Sequence, residues 1–581
     1  MRPLDWIVVA AYLGGTLALG MVLARRGSKS FAEFFVGGRA IPWWLAGASM
    51  AATTFNVDTP LYVTGLVARR GIAGNWEWWS FAFTHVLMAV VLARLWRRAT
   101  IMTDAELIEQ RYGGKPAAIL RGTRALLFAI PINCVGIGYG MLAMRKVLVA
   151  LGATSALPLP GDPQLWAVLA IVLVVLVYAA AAGLWGVVAT DFLQLGLALL
   201  GAMLVAGYAL HEVGGLGALR ERLVQLGHGD TLRLLPRPGD AALPFGTFLG
   251  YIGIQWWAYR GADGGGMFVQ RLSSVKDERA AERAAGLFNV INYVVRTWPW
   301  VVVALAALVV LPGLKDPETA YPLMMLHYLP VGVLGLVFAS LVAAFMSAVS
   351  TQINWSASYI VRDVYQRFID KEAGERRLVL VSRAATLFIA LLSAAFSFYL
   401  IHDVGSTFRL LILIGNGTGT VLLLRWFWWR VNAWAEWTAL LVGTLLALLT
   451  VLVPALSQLS FGAKLVLTAG GALAVWVPVM LLTPAEPAAV LDAFYARARP
   501  GGPGWKAVRA RLDLAPASDL GRDFAEAGAT LAMVLGAMLA IGGVVIGSTA
   551  WAVGATVALV VGWAVRRRVR RGGDDAMGVM K

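Results

Sequence analysis

The sequence is poor in the residues that carry metal, redox and covalent chemistry. Its 581 residues include one cysteine and five histidines, and 14% are charged, whereas soluble domains are about 25% charged. The lone Cys134 excludes an intrachain disulfide and a metal site built from several cysteines. The sequence also lacks His-Glu-x-x-His, Gly-x-Ser-x-Gly and Asp-rich metal motifs. We therefore expect neither an intramembrane enzyme nor an organic cofactor.

Apolar residues are abundant and occur in long runs. Hydrophobic residues make up 59% of the chain, and the mean hydropathy is +0.72. Because a membrane-spanning helix needs about 20 mostly apolar residues, this pattern predicts an all-α integral membrane protein with about 15 spans. The predicted spans are 4–24, 43–67, 74–96, 119–152, 165–182, 185–210, 246–269, 284–312, 331–359, 378–400, 405–427, 433–455, 462–483, 527–546 and 548–565.

The net charge of +16 is unevenly distributed. Most lysines and arginines fall in alternate loops or at the helix ends beside them, for example Arg25, Arg97, Arg376 and the tail at 566–571. Cytoplasmic loops carry such an excess, so we expect the N-terminus outside and the C-terminus in the cytoplasm. The charge then reflects topology and contact with anionic lipids, not nucleic acid. A cell membrane is expected, namely a bacterial inner membrane.

Two predicted spans are interrupted near their middles. The span 43–67 is broken at 55–60, and the span 246–269 is broken at the glycine-rich 259–266. Hydrocarbon offers no partner for freed backbone groups, so such breaks predict a polar cavity and a transporter's binding site. The candidate substrate-binding residues are Asn56, Asp58 and Thr59 at the first break, Gln255, Trp256, Tyr259, Arg260 and Asp263 at the second, and Asn416 in a later span.

Oxygen-bearing side chains within spans predict an ion site. Asp191 is an intramembrane acid, which needs a cation, a fixed positive side chain or a proton. Ser347, Ser350 and Thr351 share one face of a predicted helix. Such a stripe also suits helix–helix packing. Together with the breaks and Asp191, however, it favours hard oxygen ligands for a small hard cation.

Several ordered motifs resemble the sodium:solute symporter family, from residue 3 to about 455 with a weaker likeness near 494–505. The motifs are 34–39 (FFVGGR), 51–53 (AAT), 109–113 (EQRYG), 190–194 (TDFLQ), 270–271 (QR), 347–365 and 425–434 (RWFWWRVNAW). The resemblance implies the inverted-repeat fold of the bacterial leucine transporter and transport by alternating access. The implied organisation is 1–42 as an N-terminal extra helix and cytoplasmic loop, 43–210 as the first five-helix repeat, 211–245 as an outer loop, 246–427 as the second repeat, 428–483 as two further helices, 484–525 as a cytoplasmic amphipathic segment and 526–581 as two terminal helices with a basic tail.

The resemblance also implies two sodium sites. The site common to the fold would be formed by Ala52, Phe55, Ala344, Ser347 and Ala348. A hydroxyl is expected at the last of these positions, so this site has one ligand fewer or uses a water. A second site, found in some members of the family, would be formed by Asp191, Ser350 and Thr351, all of which carry oxygen.

These observations predict sodium-coupled symport of a small organic solute by a chain that functions as a monomer. The expected partners are the solute, sodium ions and membrane lipids. Intramembrane arginines such as Arg260 and Arg409 can bind carboxylates, which favours an amino acid or organic acid over a sugar. The nearest alternative is proton coupling through Asp191. A sodium-conducting channel or a sensor is a more distant one.

Overall fold

The computed structural model describes residues 1–27, 37–101, 103–153 and 161–578, with side chains except at 17, 20–27, 174–183 and 573–578. Over these residues the regular structure is helical, and the β-type contact between Ile41 and Val275 is an isolated bridge. The predicted all-α class is therefore confirmed. Motif residues 34–36 lie outside the described residues.

The first half of the chain contains one leading helix, one broken helix and three long helices. Gly71, at φ +66°, ends the second half of the broken helix, and Asp162 caps the last long helix through the Gln164 N–H. The elements are α1 (Pro3–Gly27), α2 (Trp43–Thr53), α3 (Asp58–Arg70), α4 (Ile72–Ala99), α5 (Gly114–Ala150), α6 (Pro163–Val213) and a surface helix, α7 (Gly215–Gln225).

The second half again begins with a broken helix, but a short helix lies between its first two long helices and two short helices end it. Asp277 and Asp403 cap helices by accepting from the N–H groups of Ala280 and Ser406. The elements are α8 (245–258), α9 (Met267–Ser274), α10 (Glu278–Val310), α11 (Ala320–Tyr328), α12 (Val333–Ile369), α13 (Glu375–Tyr399), α14 (Val404–Leu413) and α15 (Thr418–Phe427).

The remaining helices pack around this core. The last two form a hairpin against α4 and α10, held by an ion pair of 3.1 Å between Arg94 and Asp523 and by the indole of Trp298, which donates to the Met538 carbonyl at 2.9 Å. The elements are α16 (Ala433–Leu452), α17 (Phe461–Leu482), α18 (Ala488–Ala498), α19 (Lys506–Leu512), α20 (Leu520–Ile546) and α21 (Thr549–Gly578).

The predicted number of 15 spans is not confirmed. Among the described residues, ten helices are long and apolar enough to cross a membrane, or eleven if α14 and α15, which meet at 45°, form one span. The halves of the two broken helices are individually too short to count. In addition, the predicted spans 165–182 and 185–210 form the single helix α6. The alanine-rich run at 179–182 favours continuation of that helix, and Gly183 alone does not end it.

Corresponding helices of the two halves share irregular turns. The helix after each broken helix, α4 and α10, contains a π-helical segment, at Met88–Leu92 and Val290–Val295 respectively. Such segments are rare in helices. Their matching positions support an internal repeat, while the residue boundaries 43–210 and 246–427 stay predictions.

Candidate functional site

A cavity of about 270 Å³ lies between the two breaks. Binding cavities for small molecules are commonly about 300–1,000 Å³, so this one suits a small solute. Aromatic rings and polar side chains share its wall. The aromatic lining includes Tyr62, Trp78, Phe81, Phe128, Tyr139, Tyr259, Phe268, Tyr293, Trp355 and Phe408, and the polar lining includes Thr53, Thr54, Asn56, Asp58, Thr59, His85, Arg124, Asn133, Arg260, Asn292, Arg296 and Gln352.

The first break, at 54–57, is held open by its own side chains. The Asn56 carboxamide oxygen accepts from the Val57 N–H at 2.8 Å, and the Thr59 hydroxyl accepts from the Asn56 N–H at 3.3 Å. These bonds replace the helical ones that the interruption removes, as a polar cavity in a membrane protein requires. Helix α3 then begins at Asp58, so this carboxylate lies at a helix N-terminus, where negative charge is stabilised.

The second break, at 259–266, is longer and depends on glycine. Gly264 and Gly266 have φ values of +75° and +78°. A Cβ atom at Gly264 would lie 2.5 Å from Cγ of Met88. The Asp263 carboxylate accepts from the Gly265 N–H at 3.0 Å, and it forms a 2.6 Å ion pair with Arg425. This break is therefore tied into a buried ionic network.

Five of the nine predicted substrate-binding residues line the cavity, namely Asn56, Asp58, Thr59, Tyr259 and Arg260. The other four have different surroundings. Gln255 donates to the Glu77 carbonyl, Trp256 stacks on Phe83, Asp263 pairs with Arg425, and Asn416 donates to the Thr468 hydroxyl at 2.7 Å. These four residues therefore contact other parts of the protein and lie outside the cavity wall.

The two arginines expected to bind a carboxylate have other partners. Arg260 donates to the carbonyls of Leu411 and Ile414, at the C-terminal end of α14, where a positive charge is favourable. Arg409 lies 3.8 Å from the Glu77 carboxylate. Arg260 and Asp263 are close in sequence, but Asp263 pairs with Arg425.

Asp191, on α6, contacts side chains from three other helices. Its two oxygens accept hydrogen bonds of 2.6 Å from Ser49 on α2 and from Ser347 on α12. The guanidinium of Arg271, on α9, lies 3.7 Å from the same carboxylate. Asp191 is completely buried, so these contacts supply the compensation that a buried carboxylate needs.

The five residues predicted for the common sodium site are all buried where α2 and α12 pack together. Ala52 and Phe55 lie at the C-terminal end of α2, where backbone carbonyls lose their helical partners. The Ser347 hydroxyl donates to Asp191, which links this site directly to the acid. Ala348 supplies no side-chain oxygen.

Arg271 enters the region predicted for a second sodium. It donates to the Thr351 hydroxyl at 3.1 Å as well as approaching Asp191, while the Ser350 hydroxyl donates to the Ser347 carbonyl at 3.0 Å. A fixed positive charge therefore lies among the predicted ligands. The sequence did show an arginine one turn after the second break, but it could not show which acid that arginine faces.

Arg296 lines the cavity and was not among the nine predicted substrate-binding residues. It follows the π-helical turn of α10, and it donates to the Ala51 carbonyl at 3.3 Å and to the Thr54 hydroxyl at 3.2 Å. Its Nε atom is buried and finds no hydrogen-bond partner among the described residues. The sequence showed an arginine within a predicted span, but it could not show that this arginine contacts the first break.

Comparison with known proteins agrees with this arrangement of broken helices around a cavity. The sodium:solute symporter family model matches residues 34–446, which is most of the chain. The chain belongs to the sodium:solute symporter family. This membership confirms the predicted class, a sodium-coupled transporter and not an enzyme.

Individual relatives of this symporter are distant. A sodium/glucose cotransporter of Vibrio parahaemolyticus is 26% identical over 466 residues, covering 74% of this chain and 82% of that relative. The pig sodium/myo-inositol cotransporter 2 is 24% identical, covering 77% and 70%. A solved Na⁺-coupled sialic acid symporter superposes with a TM-score of 0.66 at 21% identity, covering 84% of this chain and 99% of that one. The last match confirms the leucine-transporter type of fold.

Proposed function

We propose that this symporter carries a small organic solute into the cell together with sodium, by alternating access around the central cavity. The observation that carries the proposal is the bridge from Ser49 through Asp191 to Ser347. This bridge joins the broken helix α2 to the hydroxyl stripe of α12 through a buried acid. Oxygen ligands of this kind suit sodium.

The proposed primary sodium site is formed by Ala52, Phe55, Ala344, Ser347 and Ala348. A second ion is proposed at Asp191, Ser350 and Thr351. Arg271 already contacts two of these side chains, so the second ion requires the guanidinium to withdraw. Consequently, we expect weak occupancy of the second site in the native chain.

Uptake into vesicles tests this assignment. Ser347→Ala removes a hydroxyl ligand and should raise the sodium concentration for half-maximal uptake, because one oxygen contact and one bond to Asp191 are lost. Ser358→Ala is the matched control, since Ser358 lies farther along α12 and its hydroxyl donates within its own helix. Unchanged sodium dependence in Ser347→Ala would contradict the site.

The solute is proposed to be an amino acid or organic acid in preference to a sugar. Support comes from Arg296 in the cavity wall, whose Nε atom has no partner. A sugar or polyol is the second candidate. The similarity to glucose and myo-inositol cotransporters favours it, and so does the aromatic lining of the cavity. A thermal-shift screen of amino acids, carboxylates and sugars, each with and without sodium, separates the two.

Proton coupling is a weaker alternative. Arg271 lies 3.7 Å from Asp191 and gives this carboxylate a positive partner other than a proton. Uptake that persists in sodium-free buffer and is abolished by an uncoupler would support protons. Orientation with the N-terminus outside, location in a bacterial inner membrane and function as a monomer remain part of the proposal.

A further inference from the structure

An acid and an arginine of the cavity wall each have a polar atom without a partner among the described residues. Asp58 and Arg296 both line the cavity, with 6% and 3% of their surfaces exposed. Oδ1 of Asp58 and Nε of Arg296 are buried and find no hydrogen-bond partner among the described residues. No ion pair joins the two side chains in that part of the chain. Buried charges of this kind are costly unless something pairs with them.

The other charged groups of the cavity wall are already engaged. Arg124 forms ion pairs of 2.8 Å with Asp104 and 2.9 Å with Glu436. Arg260 caps α14 through two carbonyls. Arg124 also has a buried Nε without a hydrogen-bond partner in the described part of the chain, but its charge is balanced by these two ion pairs. Asp58 and Arg296 each keep such an atom and form no ion pair with a described residue.

Both groups are held in place by the first break. Asp58 begins α3 and lies beside Tyr139, while Arg296 donates to Ala51 and Thr54 at the end of α2. The broken helix therefore positions one negative group, on α3, and one positive group, held at the end of α2, at the wall of the cavity. A ligand with opposite charges on neighbouring groups could pair with both residues at once, and its own net charge would be zero.

We propose that the solute is an α-amino acid, bound with its ammonium group at Asp58 and its carboxylate at Arg296. This inference rests on the proposed symport function and narrows its substrate class. The amino acid side chain contacts the aromatic wall, where Trp78 stacks on Tyr293 and Phe81 packs on Tyr259. An arginine can bind a carboxylate with paired hydrogen bonds, which fits the free Nε atom.

Three matched ligands test the inference on the purified full-length chain. They are the best-binding standard amino acid, its 2-hydroxy acid, which lacks the ammonium, and its amine, which lacks the carboxylate. Each is measured by thermal shift and by competition for uptake, in sodium and in choline. A hydrogen bond to a charged group contributes about 1.5–3 kcal/mol. We therefore expect each analogue to bind roughly ten- to a hundredfold more weakly than the amino acid.

Two variants locate the contacts. Asp58→Asn should weaken binding of the amino acid roughly tenfold or more and leave binding of the 2-hydroxy acid unchanged, so that the preference between the two ligands disappears. Arg296→Gln should weaken binding of both acids and leave binding of the amine unchanged. Asp316→Asn, in the loop before α11, removes an acid outside the cavity wall and is the control. Should a variant not fold, the wild-type ligand series still decides the substrate class.

The outcomes separate this inference from the function it rests on. Sodium-dependent binding of a hexose or myo-inositol, stronger than that of every amino acid, would overturn the inference and leave sodium symport intact. Solute binding that is equally strong in sodium and in choline, for every class of solute, would count against the symport proposal itself. Equal losses for amino acid and 2-hydroxy acid in Asp58→Asn would show that Asp58 does not contact the ammonium.

Discussion

The two helix breaks occupy corresponding positions in the two halves, yet their chemical surroundings differ. Both breaks line the cavity. The first is short and leaves one oxygen of Asp58 without a partner among the described residues. The second is longer, and its acid, Asp263, forms a 2.6 Å ion pair with Arg425. The two breaks therefore differ in role. The first leaves a charged group available to a ligand, and the second holds its backbone against the neighbouring helices.

The second break is fixed from two directions. The Trp96 indole donates to the Asp263 carbonyl at 2.6 Å, and the Gly417 N–H donates to the Ala258 carbonyl at 2.7 Å. A Cβ atom at Gly419 would lie 2.3 Å from the Tyr259 carbonyl oxygen, so α15 approaches the backbone of this break directly. Movement of the second break consequently requires α15 to move with it.

The largest expected effect comes from breaking the ionic network of the second break. Arg425 pairs with Asp263 at 2.6 Å and with Glu436 at 3.1 Å, and it is fully buried. Arg425→Gln would leave buried carboxylates without their partner, which typically costs about 3–5 kcal/mol. Thermal unfolding of the purified protein should show a large loss of stability.

The control for this variant is Arg511→Gln, which removes an exposed ion pair with Asp492. Surface pairs contribute about 0–1 kcal/mol, so its unfolding temperature should stay close to that of the native chain. Similar unfolding temperatures for both variants would contradict the difference drawn between the two breaks.

Adding a methyl group at Gly264 should have the next largest effect. Its φ of +75° is unfavourable for alanine, and the new Cβ would lie 2.5 Å from the flexible side chain of Met88. We expect Gly264→Ala to cost about 1–3 kcal/mol, measured by the same unfolding assay. Gly253→Ala is the control, because a Cβ there meets no atom within 4 Å. A loss no greater than that of the control would show that this break tolerates other conformations.

The sequence indicated much of this architecture but not the partners within it. Interrupted apolar runs showed both breaks, and the stripe at Ser347 showed the hydroxyl face next to Asp191. Those signals are local, so sequence spacing reveals them. Pairings such as Asp263 with Arg425 join residues 162 positions apart, and only the packed helices decide them. Four of the nine substrate candidates therefore lie outside the cavity wall, and Arg296, which lines it, was not among the nine.

A smaller effect is expected from removing the side chain that holds the first break. The Asn56 carboxamide accepts from the Val57 N–H, much as a helix cap does. Loss of such a cap costs about 1 kcal/mol, which we expect for Asn56→Ala in the unfolding assay. Asn56→Ser keeps a capping oxygen without adding a buried charge and should recover part of the loss. If alanine and serine destabilise equally, the acceptor is not what holds this break.

The smallest stability change is expected at Asp58, where the comparison between the breaks is tested most sharply. Asp58→Asn keeps the shape of the side chain, and Oδ1 has no protein partner to lose. Part of the favourable interaction with the N-terminus of α3 disappears, which is worth about 0.3–1 kcal/mol. The substitution also replaces an unpaired buried charge with a neutral amide, which offsets this loss. Unfolding temperatures should therefore be nearly equal without solute, and they should diverge when the solute is added. A large loss without solute would mean that Asp58, like Asp263, stabilises the fold instead of binding the ligand.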